Sequence, residues 1–270
     1  MPLPRLGIAH FTTIGVEPLD YVAMAARVGY SQVGLRLYPA FPGAPFYEIS
    51  SRSSLMKAMR ARLADTGLSI YDIEFVVVDA TFQPARLRPV FETAAELGAK
   101  RLSVCGDDVD GARLCSNIAE LADLAQPFGM SIDIENMPWR TISSFAQAVQ
   151  LAKDTGAKNV GTLVDALHFT RGGGLPKDLK GVPQQFVRSF QLCDTIGARP
   201  ISDDALIAEA RSGRKLPGKG TLPLAELLGA IPKECVISVE VPMTTGIAED
   251  HARRVYEAAQ RTIRDVAVSV

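Results

Sequence analysis

Eight short apolar runs alternate with longer segments whose apolar residues recur every three or four positions, and this alternation fills the 270-residue chain. The runs are LGIAH (6–10), QVGLRL (32–37), SIYDIEFVV (69–77), KRLSVC (100–105), MSIDIE (130–135), NVGTLVD (159–165), VRSFQLC (187–193) and CVISVEV (235–241). Their β-branched content and alternation mark strands, whereas LDYVAMAARVG, SSLMKAMRARLADTG and LRPVFETAAELGA carry helical spacing and run into a glycine. Strand, helix, strand at this regularity requires a parallel sheet with crossover helices. Eight units of about 31 residues each are what a closed (β/α)₈ barrel needs. The rival, an open doubly wound sheet, carries a GxGxxG turn after its first strand, and none is present here. The expectation is an α/β chain forming one TIM barrel domain over residues 1–270.

Side chains alternate faces along a strand, so parity separates residues under the helices from those lining the barrel. Ile132 and Ile134 oppose Ser131, Asp133 and Glu135; Ile237 and Val239 oppose Ser238 and Glu240; Phe190 and Leu192 oppose Ser189 and Gln191. In the same way Ile73 and Phe75 oppose Asp72 and Glu74, and Leu35 and Leu37 oppose Gly34 and Arg36. Helices cover the apolar set, which leaves the polar set facing inward. Glu135, Asp165, Gln191 and Glu240 then stand at the ends of four successive strands, at the mouth where barrel active sites lie.

Three ionised carboxylates in one low-dielectric cavity repel each other and resist desolvation. A divalent cation supplies the missing positive charge most directly. Salt bridges to basic residues are the alternative, and on the inner parity only Arg36 qualifies. The all-oxygen set of Glu135, Asp165, Gln191 and Glu240 favours Mn²⁺ or Mg²⁺ over Zn²⁺ or Co²⁺. In GTLVDALHFTRGGG (161–174), Asp165 serves equally well as a cap for the next helix, and His168 as a half-buried histidine.

Composition removes other classes. Lys and Arg total 29 against 30 Asp and Glu, a net charge of −1, so no basic field invites nucleic acid or an anionic membrane. The opening MPLPRLGIAHF lacks the apolar core of a secretory signal, and no run is long enough to span a bilayer. Cys105, Cys115, Cys193 and Cys235 are scattered, which suits a reduced, cytoplasmic protein. A homo-oligomer is compatible with all of this. Two irregular stretches, 39–51 and 194–223, follow the second and seventh strands and read as lids or substrate walls. Phe41, Phe46, Tyr47 and Trp139 in such loops suit either pocket walls or plain packing.

IENMP (134–138), LVDALHF (163–169), QLCD (191–194), LPGKG (216–220) and ISVEVP (237–242), in this order at strand ends, resemble the xylose isomerase-like TIM-barrel superfamily. The likeness covers nearly the whole chain. It implies one divalent metal held by Glu135, Asp165, Gln191 and Glu240, with Gln191 standing where many relatives carry a histidine. It further implies that His168 and an arginine of RSGRKLPGKG, Arg214 before Arg211, meet substrate. Arg36, Glu74 and Trp139 complete the candidate substrate-binding set. A branch of the superfamily that repairs DNA does not fit, because it needs a histidine-rich trinuclear centre and this chain has three histidines in all.

The expected reaction is metal-dependent isomerisation or epimerisation of a small sugar or sugar phosphate, a polyhydroxylated carbonyl compound, with Glu135 and Glu240 moving protons through an enediolate. Dehydration by a 3-dehydroshikimate dehydratase-like lyase shares the first step. A non-catalytic sugar-binding barrel is the remaining reading.

Overall fold

The computed structural model describes residues 5–268; Met1–Pro4, at the head of the stretch read above for a leader, and Ser269–Val270 lie outside them. Eight parallel strands close a barrel in chain order. They are β1 (Leu6–Ile8), β2 (Gln32–Leu35), β3 (Ser69–Asp79), β4 (Arg101–Asp107), β5 (Ser131–Glu135), β6 (Val160–Asp165), β7 (Val187–Leu192) and β8 (Val236–Val239). Pairing of Leu6, Gly7 and Ile8 with Ile237, Ser238 and Val239 closes the ring. All eight runs expected from the sequence are strands here, with ends displaced by up to two residues.

Five helices follow the first five strands: α1 (Pro18–Val28), α2 (Ser54–Thr66), α3 (Arg88–Glu96), α4 (Gly111–Ala125) and α5 (Phe145–Asp154). Beyond β6 come α6 (Ala166–Arg171) and α7 (Pro176–Lys180), beyond β7 come α8 (Asp203–Ala208) and α9 (Leu224–Leu228), and α10 (Ala248–Val268) follows β8. Local chemistry sets where these helices begin. The Asp110 carboxylate accepts the N–H groups of Ala112 and Arg113, and Ser144 with Gln147 forms a capping box on α5. Ile132, Ile134, Phe190 and Val239 are fully buried between strands and helices, as their parity requires.

One residue breaks the parity. Ile73 pairs with Leu102 but the next pairing is Val76 with Val104, so β3 carries one extra residue. Such a bulge re-aims side chains, and Phe75, expected under the helices, lines the mouth of the barrel instead. Gly34 on β2 answers another close approach, because a Cβ there would sit 2.1 Å from Glu74 Oε1. Among the described residues no helix is long and apolar enough to cross a membrane, and the four cysteines are free.

Candidate active site

Register places Asp165 opposite Gln191 across β6 and β7, one layer at the C-terminal mouth. Asp165 closes β6 and caps α6: its Oδ1 accepts the His168 backbone N–H at 3.0 Å. The cap and a functional role therefore coexist, because the second oxygen is left for another partner. That partner is Arg214, whose Nη1 lies 2.5 Å from Asp165 Oδ2. Its Nη2 reaches Glu240 Oε1 at 3.0 Å and His168 Nε2 at 3.2 Å. Gln191 Nε2 donates to Glu240 Oε2 at 3.2 Å, and Glu135 Oε1 stands 4.0 Å from His168 Nε2. Six of the expected site residues thus share one network.

Burial and charge set the protonation of this network. Burial pushes Glu135 well above the carboxylate range, and the charges of Asp165 and Glu240 push it further. Burial raises Glu240 to about 7, with Arg214 opposing. Burial also works against Asp165, but Arg214 overcomes it and holds this carboxylate ionised. His168 is driven down to about 4, mainly by burial. A guanidinium only donates, so His168 Nε2 accepts from Arg214, which agrees with a neutral ring.

Arg214 arrives on a loop after β7 that is fixed from below. Asp194 Oδ2 accepts the N–H groups of Gly218 and Gly220, at 3.1 and 2.9 Å, and its Oδ1 accepts those of Thr195 and Leu222. A Cβ on Gly220 would lie 2.2 Å from Asp194 Oδ1. The glycines of LPGKG therefore wrap an internal carboxylate. The preceding π-helical turn, Glu209–Gly213, is tied by Arg171 to Glu209 at 2.7 Å and by Thr195 to the same carboxylate. Gly172 and Gly174 pack against Ser143 O and the Phe169 ring, which argues for close packing at both positions.

Above the network lies a cavity of about 260 Å³. Arg36, Arg211, Arg214, Trp139, His168, Glu135 and Glu240 line it, whereas Glu74 does not. Glu74 is turned to the backbone instead, accepting from His10 N at 2.6 Å and Phe11 N at 3.3 Å, with Arg36 Nε 3.7 Å away. Trp139 meets the His168 ring edge-on at 5.0 Å. Phe41 lines the cavity, while Tyr47 packs on His10 and donates to Val16 O. Sequence reasoning missed Phe11, Phe75 and Arg140 in the wall and Cys193, whose sulfur lies 3.1 Å from Arg214 Nη1. Arg140 follows Trp139 directly and Phe11 follows β1, so position just beyond a strand end was the available signal.

The donor set fits a divalent cation in its chemistry. Gln191 Oε1 is buried without a hydrogen-bond partner, and Glu135 receives no hydrogen bond among the described residues. One unpartnered amide oxygen beside three carboxylates is a set that a hard cation satisfies. Arg214, however, bridges Asp165 and Glu240, and among the described residues no three His, Cys, Asp or Glu side chains converge as a metal cage. The guanidinium supplies the positive charge in this arrangement.

Fold and mouth together define a barrel with a carboxylate-rich polar centre at its C-terminal face. The chain belongs to the Xylose isomerase-like TIM barrel family, whose profile matches residues 22–266. It is similar to the inosose isomerase of Bacillus velezensis, at 29% identity over 129 residues, 46% of this chain and 44% of that protein. It is also similar to the 3-dehydroshikimate dehydratase of Pseudomonas aeruginosa, at 26% identity over 147 residues, 52% of this chain and 23% of that protein. These matches span less than half the length of either relative. Among solved structures, an IolI protein with a bound zinc atom superposes with a TM-score of 0.79 at 19% identity, covering 97% of this chain and 99% of that one.

Proposed function

We propose that this chain is an enzyme that moves a proton at the carbon next to a carbonyl in a small polyhydroxylated compound, giving isomerisation or epimerisation. One observation carries the reading: Glu135 and Glu240, from the ends of β5 and β8, line the same cavity. Two carboxyl groups reaching one cavity from different strands are what removal of a proton on one side of a substrate and its return on another requires. Glu135 and Glu240 are the two proton-moving groups in this reading. Neutral His168 and Arg214 hold hydrogen-bond capacity toward a substrate oxygen, and Phe11, Phe75 and Trp139 exclude water around it.

Glu135, Asp165, Gln191 and Glu240 would hold one divalent cation, Mn²⁺ or Mg²⁺ in preference to Zn²⁺ or Co²⁺. When bound, it supplies Lewis-acid polarisation of the carbonyl and its neighbouring hydroxyl. Arg214 would keep Asp165 and Glu240 in place, since it bridges the two. Dehydration, in which a β-hydroxyl leaves after the same proton removal, is the second reading; the likeness to the dehydratase and the amide at Gln191 favour it.

The test is solvent exchange in deuterium oxide with inosose and with 3-dehydroshikimate. Wild type should wash label into the α-carbon, and a product of unchanged mass or one lighter by a water separates the two readings. Glu135→Gln and Glu240→Gln should each lower turnover by ~10²-fold or more while metal content persists, the usual size of a general-base contribution. Full turnover in both variants would remove these residues from the chemistry.

A further inference from the structure

The cavity is lopsided. Its floor at β5 to β8 carries the carboxylates, and its opposite wall carries arginine on aromatic rings. Four guanidiniums line the cavity, but they are not equally engaged. Arg214 is held by Asp165 and Glu240, and Arg140 is paired with Asp107. Arg36, with Glu74 3.7 Å from its Nε, and Arg211 are held less tightly.

Arg36 is 4% exposed, with its guanidinium carbon 4.4 Å from the Phe11 ring centre and 5.5 Å from that of Phe75. Its Nε is buried without a hydrogen bond, Glu74 being 3.7 Å away and committed to backbone N–H groups, and its terminal nitrogens find no acceptor among the described residues. Arg211 lies over Phe41 at 5.2 Å and has no acidic partner among the described residues. A guanidinium with its face on a ring keeps its N–H edge free, and that edge matches a planar carboxylate in a two-point contact. Glu74 balances the Arg36 charge, but its oxygens are given to backbone N–H groups, so the terminal N–H groups of Arg36 remain to offer a ligand in the cavity it lines.

We infer that the substrate carries a carboxylate, seated on Arg36 and Arg211, while its hydroxy-carbonyl end faces Glu135 and Glu240. This rests on the proton-transfer reading for the orientation only. Phosphate is the poorer occupant. Tetrahedral phosphate is characteristically cradled by backbone N–H groups, and those of Gly218 and Gly220 are already given to Asp194. No lysine lines the cavity either.

Binding measured by calorimetry tests this without turnover, so loss of proton exchange and loss of carboxylate recognition are separate results. With Mn²⁺ present, the probes are quinate, its methyl ester, myo-inositol and inorganic phosphate. Quinate should bind at least ~10-fold more tightly than its ester or myo-inositol, a difference of the size charge-assisted pairs provide. Arg211→Met, on an exposed side chain, should erase most of that advantage and leave myo-inositol unaffected. Arg36→Lys keeps the charge but removes the fork, and should weaken quinate selectively. Equal affinity for acid and ester, no saturable quinate binding, or phosphate binding that depends on both arginines would each overturn the proposal.

Discussion

Two layers of buried charge sit on the same strands, two residues apart. In the lower layer Asp133 meets Arg101 at 3.4 Å, Arg188 at 4.0 Å and the Ser189 hydroxyl at 3.3 Å, deep in the barrel. Gly161, its register partner, makes room: a Cβ there would lie 2.4 Å from Arg188 Nε. Asp72 is buried nearby, and burial pushes its carboxyl well upward. In the upper layer Glu135, Gln191 and Glu240 share that parity, yet they meet one arginine and an open cavity. Residue type and inner parity are alike in both layers. Depth along the strand is what distinguishes a closed ion-pair cluster from a cluster able to receive a ligand.

The largest effect that would break this comparison concerns the two sets of arginines. The Arg214 side chain is 1% exposed and serves two carboxylates, so Arg214→Met strands Asp165 and Glu240 together. Denaturation in the presence of a chelator should show a loss of about 3–5 kcal/mol, the cost of leaving buried charge without its partner, with added Mn²⁺ restoring part of it. Arg188→Met should cost about 1 kcal/mol or less, because Arg188 is 4.0 Å from Asp133, partly exposed, and backed up by Arg101. Equal losses in the two variants would mean the layers are held in the same way.

Much of the upper layer was legible in the sequence because strand parity is a local property. SIDIE, SFQLC and VISVEV each announce their inner residues within five or six positions. Phe75 escaped because the bulge in β3 depends on pairing with β4, which no local pattern encodes. Arg214 was named, but as a substrate arginine. Its grip on Asp165 joins residues 49 positions apart through a loop whose shape is set by Asp194 and Glu209. The claim that only Arg36 was placed to neutralise the acids failed for the same reason, since Arg214 comes from a loop and Arg101 and Arg188 from the strands' other end. Glu74 has the right parity and depth for the mouth, yet the turn after β1 claims both its oxygens.

A smaller effect sharpens what the upper layer can bind. Gln191 spends its amide nitrogen on Glu240 and keeps a buried, unpartnered oxygen. Gln191→His replaces that oxygen with an imidazole nitrogen and should shift relative affinity toward Zn²⁺ or Co²⁺ by ~10-fold against Mn²⁺, following ligand hardness. Competition titration with a metal indicator measures it. An unchanged preference would place Gln191 outside the ligand set.

The smallest effect lies on the arginine side of the mouth. His10 is 1% exposed, packed against Tyr47 at 4.2 Å and Tyr21 at 5.2 Å, and its Nδ1 accepts the Arg36 backbone N–H at 3.1 Å. Burial, and then the Arg36 charge, hold its pKa down at about 3. Below about pH 6.5 the unfolded chain binds a proton that the folded chain refuses, so stability falls with falling pH until the folded pKa is reached. His10→Gln retains an acceptor for Arg36 and removes the titration. Between pH 7 and pH 6 the wild type should lose about 0.7 kcal/mol relative to this variant, steepening toward about 1.4 kcal/mol per pH unit below that. Urea titrations of both proteins across this range give the difference directly, in which shared contributions from other groups cancel. Parallel curves would show that His10 takes up its proton inside the fold, and that the arginine wall tolerates a second buried positive charge beside Arg36.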